Sequence, residues 1–190
     1  MRTVARPSES GMSATVWYAA RAGGVVAYVL LSSGSVLGLT LSRKQTPPWP
    51  KFAIEDVHRF ILLLTGAFLT IHVGGILVDT YVPFSLGQVL VPFTAGYRPF
   101  ATGLGVVALE LLLAVALTNA VRKQIPRRIW RKAHYASFGV WGAATFHAAL
   151  VGTDRGEPWF LLLYLGSVGA VAAAAASRFA PSRRPEPRRA

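Results

Sequence analysis

Four histidines are the residues of this chain with the clearest potential for chemistry, and the chain contains no others. They are His58, His72, His134 and His147. A neutral imidazole binds a metal through one ring nitrogen, so histidines that face each other in pairs are typical of metal sites. The chain has no cysteine. This excludes disulfides, thiolate metal sites, iron–sulfur clusters and covalently attached c-type haem.

The histidines lie two by two on apolar runs that are long enough to cross a membrane. Hydrophobic residues make up 53% of the 190 residues and charged residues only 15%, against about a quarter in soluble domains. Several uncharged runs of about 20 residues therefore predict an all-α, polytopic transmembrane helical bundle. The net charge of +12 does not indicate nucleic-acid binding, because the basic residues cluster in short segments between the apolar runs.

Charge-free runs and their flanking breakers predict five membrane spans. These are Ala22–Ser42, Phe60–Val78 with a helix that starts near Ala53, Pro99–Val121 interrupted only by Glu110, Ala133–Thr153 and Trp159–Ser177. The apolar connection from Asp79 to Arg98 predicts an interfacial segment with a short helix around Leu86–Val91. Fourteen Lys and Arg residues fall on one side of the spans and four on the other. The positive-inside rule then predicts a multi-pass cell-membrane protein with its N-terminus outside and its C-terminus in the cytoplasm.

The same pattern divides the chain into three segments. Residues 1–13 are polar and predict a disordered N-terminal segment. Residues 14–178 form the membrane domain, and residues 179–190 predict a basic, proline-rich, disordered tail.

The spacing of the histidines predicts two layers. Spans two and four enter from the same side, so they run parallel. His58 and His72 are 14 residues apart, which is roughly 21 Å of rise and almost four turns, so their rings share nearly one face. His134 and His147 are 13 residues apart, so their rings diverge by roughly 140° on an ideal helix. A local bulge, a tilted span or ligands at different azimuths would absorb that divergence.

We therefore expect an inner layer of His58 with His134 and an outer layer of His72 with His147. Two imidazoles from facing helices suit bis-histidine ligation of haem b, with the four histidines bound to haem iron as axial ligands. The alternative is that each histidine only forms a hydrogen bond between helices. A zinc or copper site is disfavoured, because the layers are too far apart to share one ion and two imidazoles make an incomplete site.

Other charged residues have weaker assignments. Arg59, Arg131 and Lys132 lie where the propionates of an inner haem would project, although they could equally reach the membrane interface. Glu110, in the middle of span three, favours a hydrogen bond to a neighbouring span over a role in proton transfer. Trp130 is interpreted as an interface anchor.

Three segments resemble the ferric reductase-like transmembrane domain family. They are VHRFILLLTGAFLTIHVGGILVDTYVPF (Val57–Phe84), LVPFTAGYRPFATGLGV (Leu90–Val106) and WRKAHYASFGVWGAATFHAALVGTD (Trp130–Asp154). The family includes NADPH oxidases, ferric reductases and the haem-binding membrane subunit of bacterial methionine sulfoxide reductase. The resemblance covers about Trp17–Arg178 and implies that the four histidines hold two haems. Many relatives have six spans, whereas five are counted here.

The resemblance also implies transfer of electrons from a cytoplasmic donor to an extracytoplasmic acceptor. Only a short tail follows Arg178, so no flavin and nicotinamide domain is expected within this chain. The expected partners are membrane lipid, a separate flavoprotein reductase or a quinol as donor, and an extracytoplasmic redox partner. The chain would then be the electron-transfer component of an oxidoreductase. The alternatives are a quinol-linked cytochrome b subunit and a haem-free transporter or proton channel.

Overall fold

The computed structural model describes residues 11–42, 49–80, 82–152 and 154–178, and these are all helix, turn or irregular backbone. The helices are α1 (Gly11–Leu41), α2 (Lys51–Val78), α3 (Leu86–Leu90), α4 (Pro99–Ala120), α5 (Arg127–Val151) and α6 (Pro158–Ser177). Within these residues, four helices are long and apolar enough to cross a membrane, namely α1, α2, α4 and α6. The architecture is that of a multi-pass helical membrane protein.

Helix α1 begins earlier than its charge-free run predicts. It starts at Gly11 rather than Ala22, so Arg21 lies inside the helix instead of flanking it. This apolar helix tolerates hydroxyl side chains because they form hydrogen bonds to the preceding turn. Ser33 donates to the carbonyl of Val29, and Ser35 donates to that of Leu31, each at 2.9 Å. The predicted disordered segment 1–13 overlaps this helix from Gly11 onward, and its first ten residues lie outside the described part of the chain.

The predicted ends of α2 and α3 agree with the structure within one or two residues. Helix α2 runs from Lys51 to Val78. The predicted short helix in the connection is α3, and Ser85 and Gln88 form a capping box at its start. Residues 43–48, Tyr81 and the tail 179–190, to which predictions were also attached, lie outside the described residues.

Helix α5 takes up about half of the basic segment Arg122–Lys132, which lies between predicted spans three and four and was expected to be a loop. It begins at Arg127, directly after Pro126, and continues without interruption to Val151. The regular helix shows no bulge between His134 and His147. Its apolarity falls short of that of the other four long helices, since it carries two histidines and a strongly basic first turn. Five spans therefore remain a prediction, with α5 as the fifth.

The helices form two antiparallel pairs that meet along α1. Helix α1 packs along α2, and α4 packs along α5, while α1 also touches α5 and α6. Helices α1 and α2 are antiparallel, because Gly23 lies close to the Phe68 carbonyl and Gly34 lies close to Leu62. Helices α1 and α5 are also antiparallel, because the side chain of Ser32 contacts Trp141 and that of Tyr28 contacts Thr145. Hence α2 and α5, the two histidine helices, run parallel to each other.

Candidate functional site

The structure brings His72 of α2 and His147 of α5 face to face. Their ring centroids are 6.4 Å apart, and their planes are inclined by 79°. The two residues are 75 positions apart in the chain, and each belongs to a different helix pair. This is the outer layer expected from the matched depths of the two histidines.

Each of these two rings is held by a backbone carbonyl of the helix beside it. His72 Nδ1 lies 2.8 Å from the carbonyl oxygen of Ala20 on α1. His147 Nδ1 lies 2.8 Å from the carbonyl oxygen of Ala101 on α4. A carbonyl only accepts hydrogen bonds, so Nδ1 is the protonated nitrogen that donates. This tautomer leaves the Nε2 lone pair available to a metal, and it is the usual arrangement behind a metal-bound histidine.

Two glycines make room for these rings. A Cβ on Gly24 would come within 2.7 Å of His72 Nδ1, and a Cβ on Gly105 within 2.6 Å of His147 Nδ1. Gly24 follows Ala20 by one helical turn, as Gly105 follows Ala101. Both rings therefore rest in the same kind of cradle, formed by a carbonyl and by a glycine one turn later on a neighbouring helix.

A cavity of about 750 Å³ extends from this pair of rings through the middle of the bundle. Such a volume falls within the range typical of cofactor and small-molecule sites. Its walls are mostly apolar and come from all five long helices, with Leu31, Leu69, Leu109, Val140 and Leu163 among them. The cavity thus offers, beside the outer pair of rings, a volume in which an apolar, ring-shaped group could be buried.

The predicted inner layer consists of His58 of α2 and His134 of α5, which lie toward the starts of these two parallel helices. Their pairing stays a prediction. Their surroundings differ from those of the outer pair. The Nδ1 atoms of both residues are buried. His58 interacts with the backbone of Gly34, whereas Nδ1 of His134 has no hydrogen-bond partner within the described ranges. Trp130 stacks on His134, with ring centroids 5.3 Å apart and planes inclined by 20°.

The three predicted propionate partners lie at this inner end. Arg59 follows His58 directly, and Arg131 and Lys132 precede His134 by one turn or less. All three side chains are exposed. Exposure at the end of the helices suits both alternatives, a contact with a bound carboxylate and a position at the membrane interface.

An ion pair at the outer end was not predicted from the sequence. The Arg21 guanidinium on α1 pairs with the carboxylate of Asp154, with Nε 2.5 Å from Oδ2. Arg21 also lies over the Trp17 ring at 4.9 Å. Both members of the pair line the cavity. Because 133 residues separate them, no local pattern relates one to the other.

Buried polar contacts between the two layers were not predicted either. Trp141 Nε1 donates to Ser32 Oγ at 3.0 Å, and Thr145 Oγ1 lies 3.4 Å from the Tyr28 hydroxyl. These contacts tie α5 to α1 midway between the histidine layers. In contrast, Glu110 is exposed on α4 and forms no hydrogen bond or ion pair with the described part of the chain, so the expected bond to a neighbouring span is not present within this bundle.

No cluster of three or more His, Asp or Glu side chains placed to hold a metal ion occurs in the described segments. The donors are instead two separate imidazole pairs, which would leave a bare ion short of ligands. A planar cofactor that brings its own equatorial nitrogens suits such a donor set better.

Searches against protein-family models, curated proteins and solved structures found no match to this chain.

Proposed function

We propose that this chain is a membrane-bound b-type cytochrome that holds two haems, one in each histidine layer, and moves electrons between the two faces of the membrane. The observation that carries the proposal is the geometry of the outer pair. His72 and His147 would hold the outer haem between α2 and α5, since their ring centroids lie 6.4 Å apart.

The fixed tautomer supports the same assignment. Ala20 and Ala101 hold the Nδ1 protons of the outer pair, so both Nε2 atoms are free to bind iron without prior loss of a proton. Hydrogen bonds of this type also orient the ring and raise its strength as a ligand. Simple histidine-mediated contacts between helices would not require two rings with identical support on opposite walls of one cavity.

The arrangement of residues favours electron transfer over oxygen activation. His72 and His147 would together hold the haem, and a haem held by two imidazoles would supply one-electron transfer rather than bind oxygen. The cavity walls are mostly apolar, and the spacing along α2 and α5 separates the two layers by roughly 20 Å along the helix axes. The chain would serve as the electron-transfer component of an oxidoreductase.

The resemblance to the ferric reductase-like transmembrane domain family supports this proposal, including transfer from a cytoplasmic donor to an extracytoplasmic acceptor. A fifth span formed by α5 belongs to the same proposal, since it would place the N-terminus outside and the C-terminus in the cytoplasm. The donor would be a separate flavoprotein reductase or a quinol, because the histidine layers contain no group that accepts hydride. An extracytoplasmic redox partner would receive the electrons beyond the outer layer.

The proposal is tested on the full chain purified in detergent. Reduced-minus-oxidised spectra should show b-type bands, and a pyridine haemochrome assay should find about two haems per chain. His72→Ala should lower the haem content to about one per chain. Thr70→Ala, an exposed change on the same helix, is the matched control and should keep both haems. A colourless protein that is otherwise folded would overturn the proposal and favour a haem-free transporter or channel.

The identity of the donor separates the two kinds of b-type cytochrome. If NADH with a soluble flavin reductase reduces the bound haems, a separate flavoprotein is the supported donor. Reduction by a quinol alone would instead favour a quinol-linked cytochrome b subunit.

A further inference from the structure

Four basic side chains form one continuous surface on the first two turns of α5. They are Arg127, Arg128, Arg131 and Lys132, and all four are exposed. At about 100° per residue they lie at roughly 0°, 100°, 40° and 140° around the helix axis, so they cover a single arc. No acidic residue interrupts them in the sequence. We call this surface the basic arc.

The positions of these charges disfavour the helix that carries them. Within the part of the chain that the structure describes, no ion pair includes a member of the basic arc. Arg127 and Arg131 are four positions apart, as are Arg128 and Lys132, so each pair repels across one helical turn. The positive end of the helix dipole lies here too, where cations are unfavourable. An anion from outside the chain would offset both effects.

An aromatic surface continues the same face of α5. Tyr135 and Phe138 lie at roughly 80° and 20° on the same angular scale, within the limits of the basic arc. Their side chains are exposed by 48% and 41%. The two rings stack on each other, with centroids 6.5 Å apart and planes inclined by 21°. This face of the helix therefore changes from charged to aromatic within about 10 Å along its axis.

The order of these groups matches the chemistry of an anionic phospholipid. Clustered arginine and lysine side chains attract anionic headgroups, and aromatic rings pack beside them at the boundary with the acyl chains. An acidic soluble protein would complement the charges alone. It would leave the rings of Tyr135 and Phe138 uncovered, because they lie further along a helix that is expected to cross the membrane.

We propose that the basic arc, together with Tyr135 and Phe138, binds the headgroup and the upper acyl chains of one anionic phospholipid, such as phosphatidylglycerol. The inference goes beyond the proposed function, because this surface requires no haem. It also goes beyond the general preference of basic residues for the cytoplasmic side of a membrane. It assigns one lipid to one face of one helix.

The test is the lipid selectivity of the full chain purified in a neutral detergent. The chain is titrated with phosphatidylglycerol or with phosphatidylcholine of the same acyl chains, and bound lipid is counted by native mass spectrometry. Each basic side chain beside an anionic headgroup adds roughly fivefold in affinity. One phosphatidylglycerol should therefore bind about tenfold or more tightly than phosphatidylcholine, and Arg127→Gln/Arg128→Gln should remove most of that preference.

Two variants show whether the effect belongs to the arc or to charge in general. Arg122→Gln/Lys123→Gln removes the same charge from exposed positions in the turn before Pro126, and it should change the affinity by less than about threefold. Arg127→Lys/Arg128→Lys keeps the charge and should keep the preference for phosphatidylglycerol. The melting temperature of each variant in detergent checks that the chain is folded.

The aromatic part of the site is tested with a second matched pair. Phe138→Ala should weaken phosphatidylglycerol binding about threefold or more, because it removes apolar surface from the acyl chains. Phe146→Ala should not, although Phe146 is also exposed on α5, because it lies about 12 Å further along the helix. Inorganic phosphate in excess should not displace the bound lipid.

Three results would overturn the inference. The first is equal affinity of the parent chain for the two lipids. The second is an equal loss of affinity in the two double glutamine variants, which would mean that only overall charge matters. The third is displacement by inorganic phosphate or full affinity in Phe138→Ala, which would identify a simple anion site. All of these results are independent of haem content, so failure of this inference and failure of the proposed function are distinguishable.

Discussion

Gly24 lies against His72 so closely that a methyl group on its Cα would come within 2.7 Å of the ring nitrogen Nδ1. The ring occupies the volume of the missing side chain, and its Nδ1 bonds to the Ala20 carbonyl one turn earlier. Because the His72 ring is itself held by this hydrogen bond, a rotation of the ring would not make room for a methyl group on Gly24. The glycine therefore determines where the imidazole can point.

Gly24→Ala should displace the His72 ring and weaken the outer layer. Overpacking of this kind costs about 1–3 kcal/mol, and we expect the haem content to fall from about two to about one per chain. Gly105→Ala should do the same through His147, where the approach is equally close. Haem content by pyridine haemochrome and melting temperature in detergent measure the two effects.

Gly74→Ala is the matched control for both glycine substitutions. Gly74 lies two residues from His72, and an added Cβ there would meet nothing within 4 Å. The change should preserve both haems and raise helix stability by up to about 1 kcal/mol. If Gly24→Ala also keeps two haems with unchanged spectra, the cradle has no role in ligand placement.

Breaking the ion pair between Arg21 and Asp154 should destabilise the outer end of the bundle. The Asp154 side chain is only 12% exposed and that of Arg21 31%, so the pair is intermediate between surface and buried bridges. We expect Asp154→Asn or Arg21→Gln to cost about 1–3 kcal/mol, seen as a lower melting temperature in detergent. Arg155→Gln, an exposed neighbour, should cost little.

A double-mutant cycle measures the coupling energy between Arg21 and Asp154. The double variant Arg21→Gln/Asp154→Asn should be less destabilised than the sum of the two single variants. Strict additivity would show that the pair contributes no coupling energy.

Helix α5 is expected to cross the membrane despite its lower apolarity. The cysteine-free chain allows this to be tested with single cysteines. Gly96→Cys precedes α4, Lys123→Cys lies between α4 and α5, and Gly156→Cys follows α5, all at exposed positions. A membrane-impermeant thiol reagent added to intact cells should label positions 96 and 156 but not 123. Labelling of position 96 alone would place α5 outside the set of spans.

Replacing Glu110 by leucine should not harm the isolated bundle. The carboxyl group is exposed on α4, and a charged side chain facing lipid costs up to about 3 kcal/mol. Glu110→Leu should keep both haems and equal or exceed the parent chain in melting temperature. Leu113→Glu, an exposed position one turn on, should lower it. Loss of haem or stability in Glu110→Leu would show that the carboxyl has a partner.

Much of the fold was predictable because apolar length and helix breakers are local signals. Pro99 and Pro158 mark the starts of α4 and α6, and the predicted end of span two at Val78 agrees with that of α2. Boundaries placed by charge were less accurate. Arg21 was placed at the edge of a span, whereas its charge is neutralised inside the helix by Asp154, a residue that only the tertiary fold brings near.

The approach of His72 to His147 was also predictable, since equal depth follows from rise per residue in parallel helices. The contacts that hold the rings in place were less predictable. Gly24 and Gly38 are 14 residues apart, matching the spacing of His72 and His58, and a Cβ on Gly38 would lie 3.5 Å from His58 Cε1. That match is a usable signal in the sequence. The carbonyl partners leave no trace in side-chain sequence.

The division of the bundle into two antiparallel helix pairs has a consequence for assembly. Each layer takes one imidazole from the α1–α2 hairpin and one from the α4–α5 hairpin, and the packing between these hairpins is mainly that of α1 against α5. A haem ligated in either layer would thus act as a cross-link between halves that otherwise adhere weakly. Cofactor insertion would then be the last step of folding, and the chain without haem would be easily cleaved between its two hairpins.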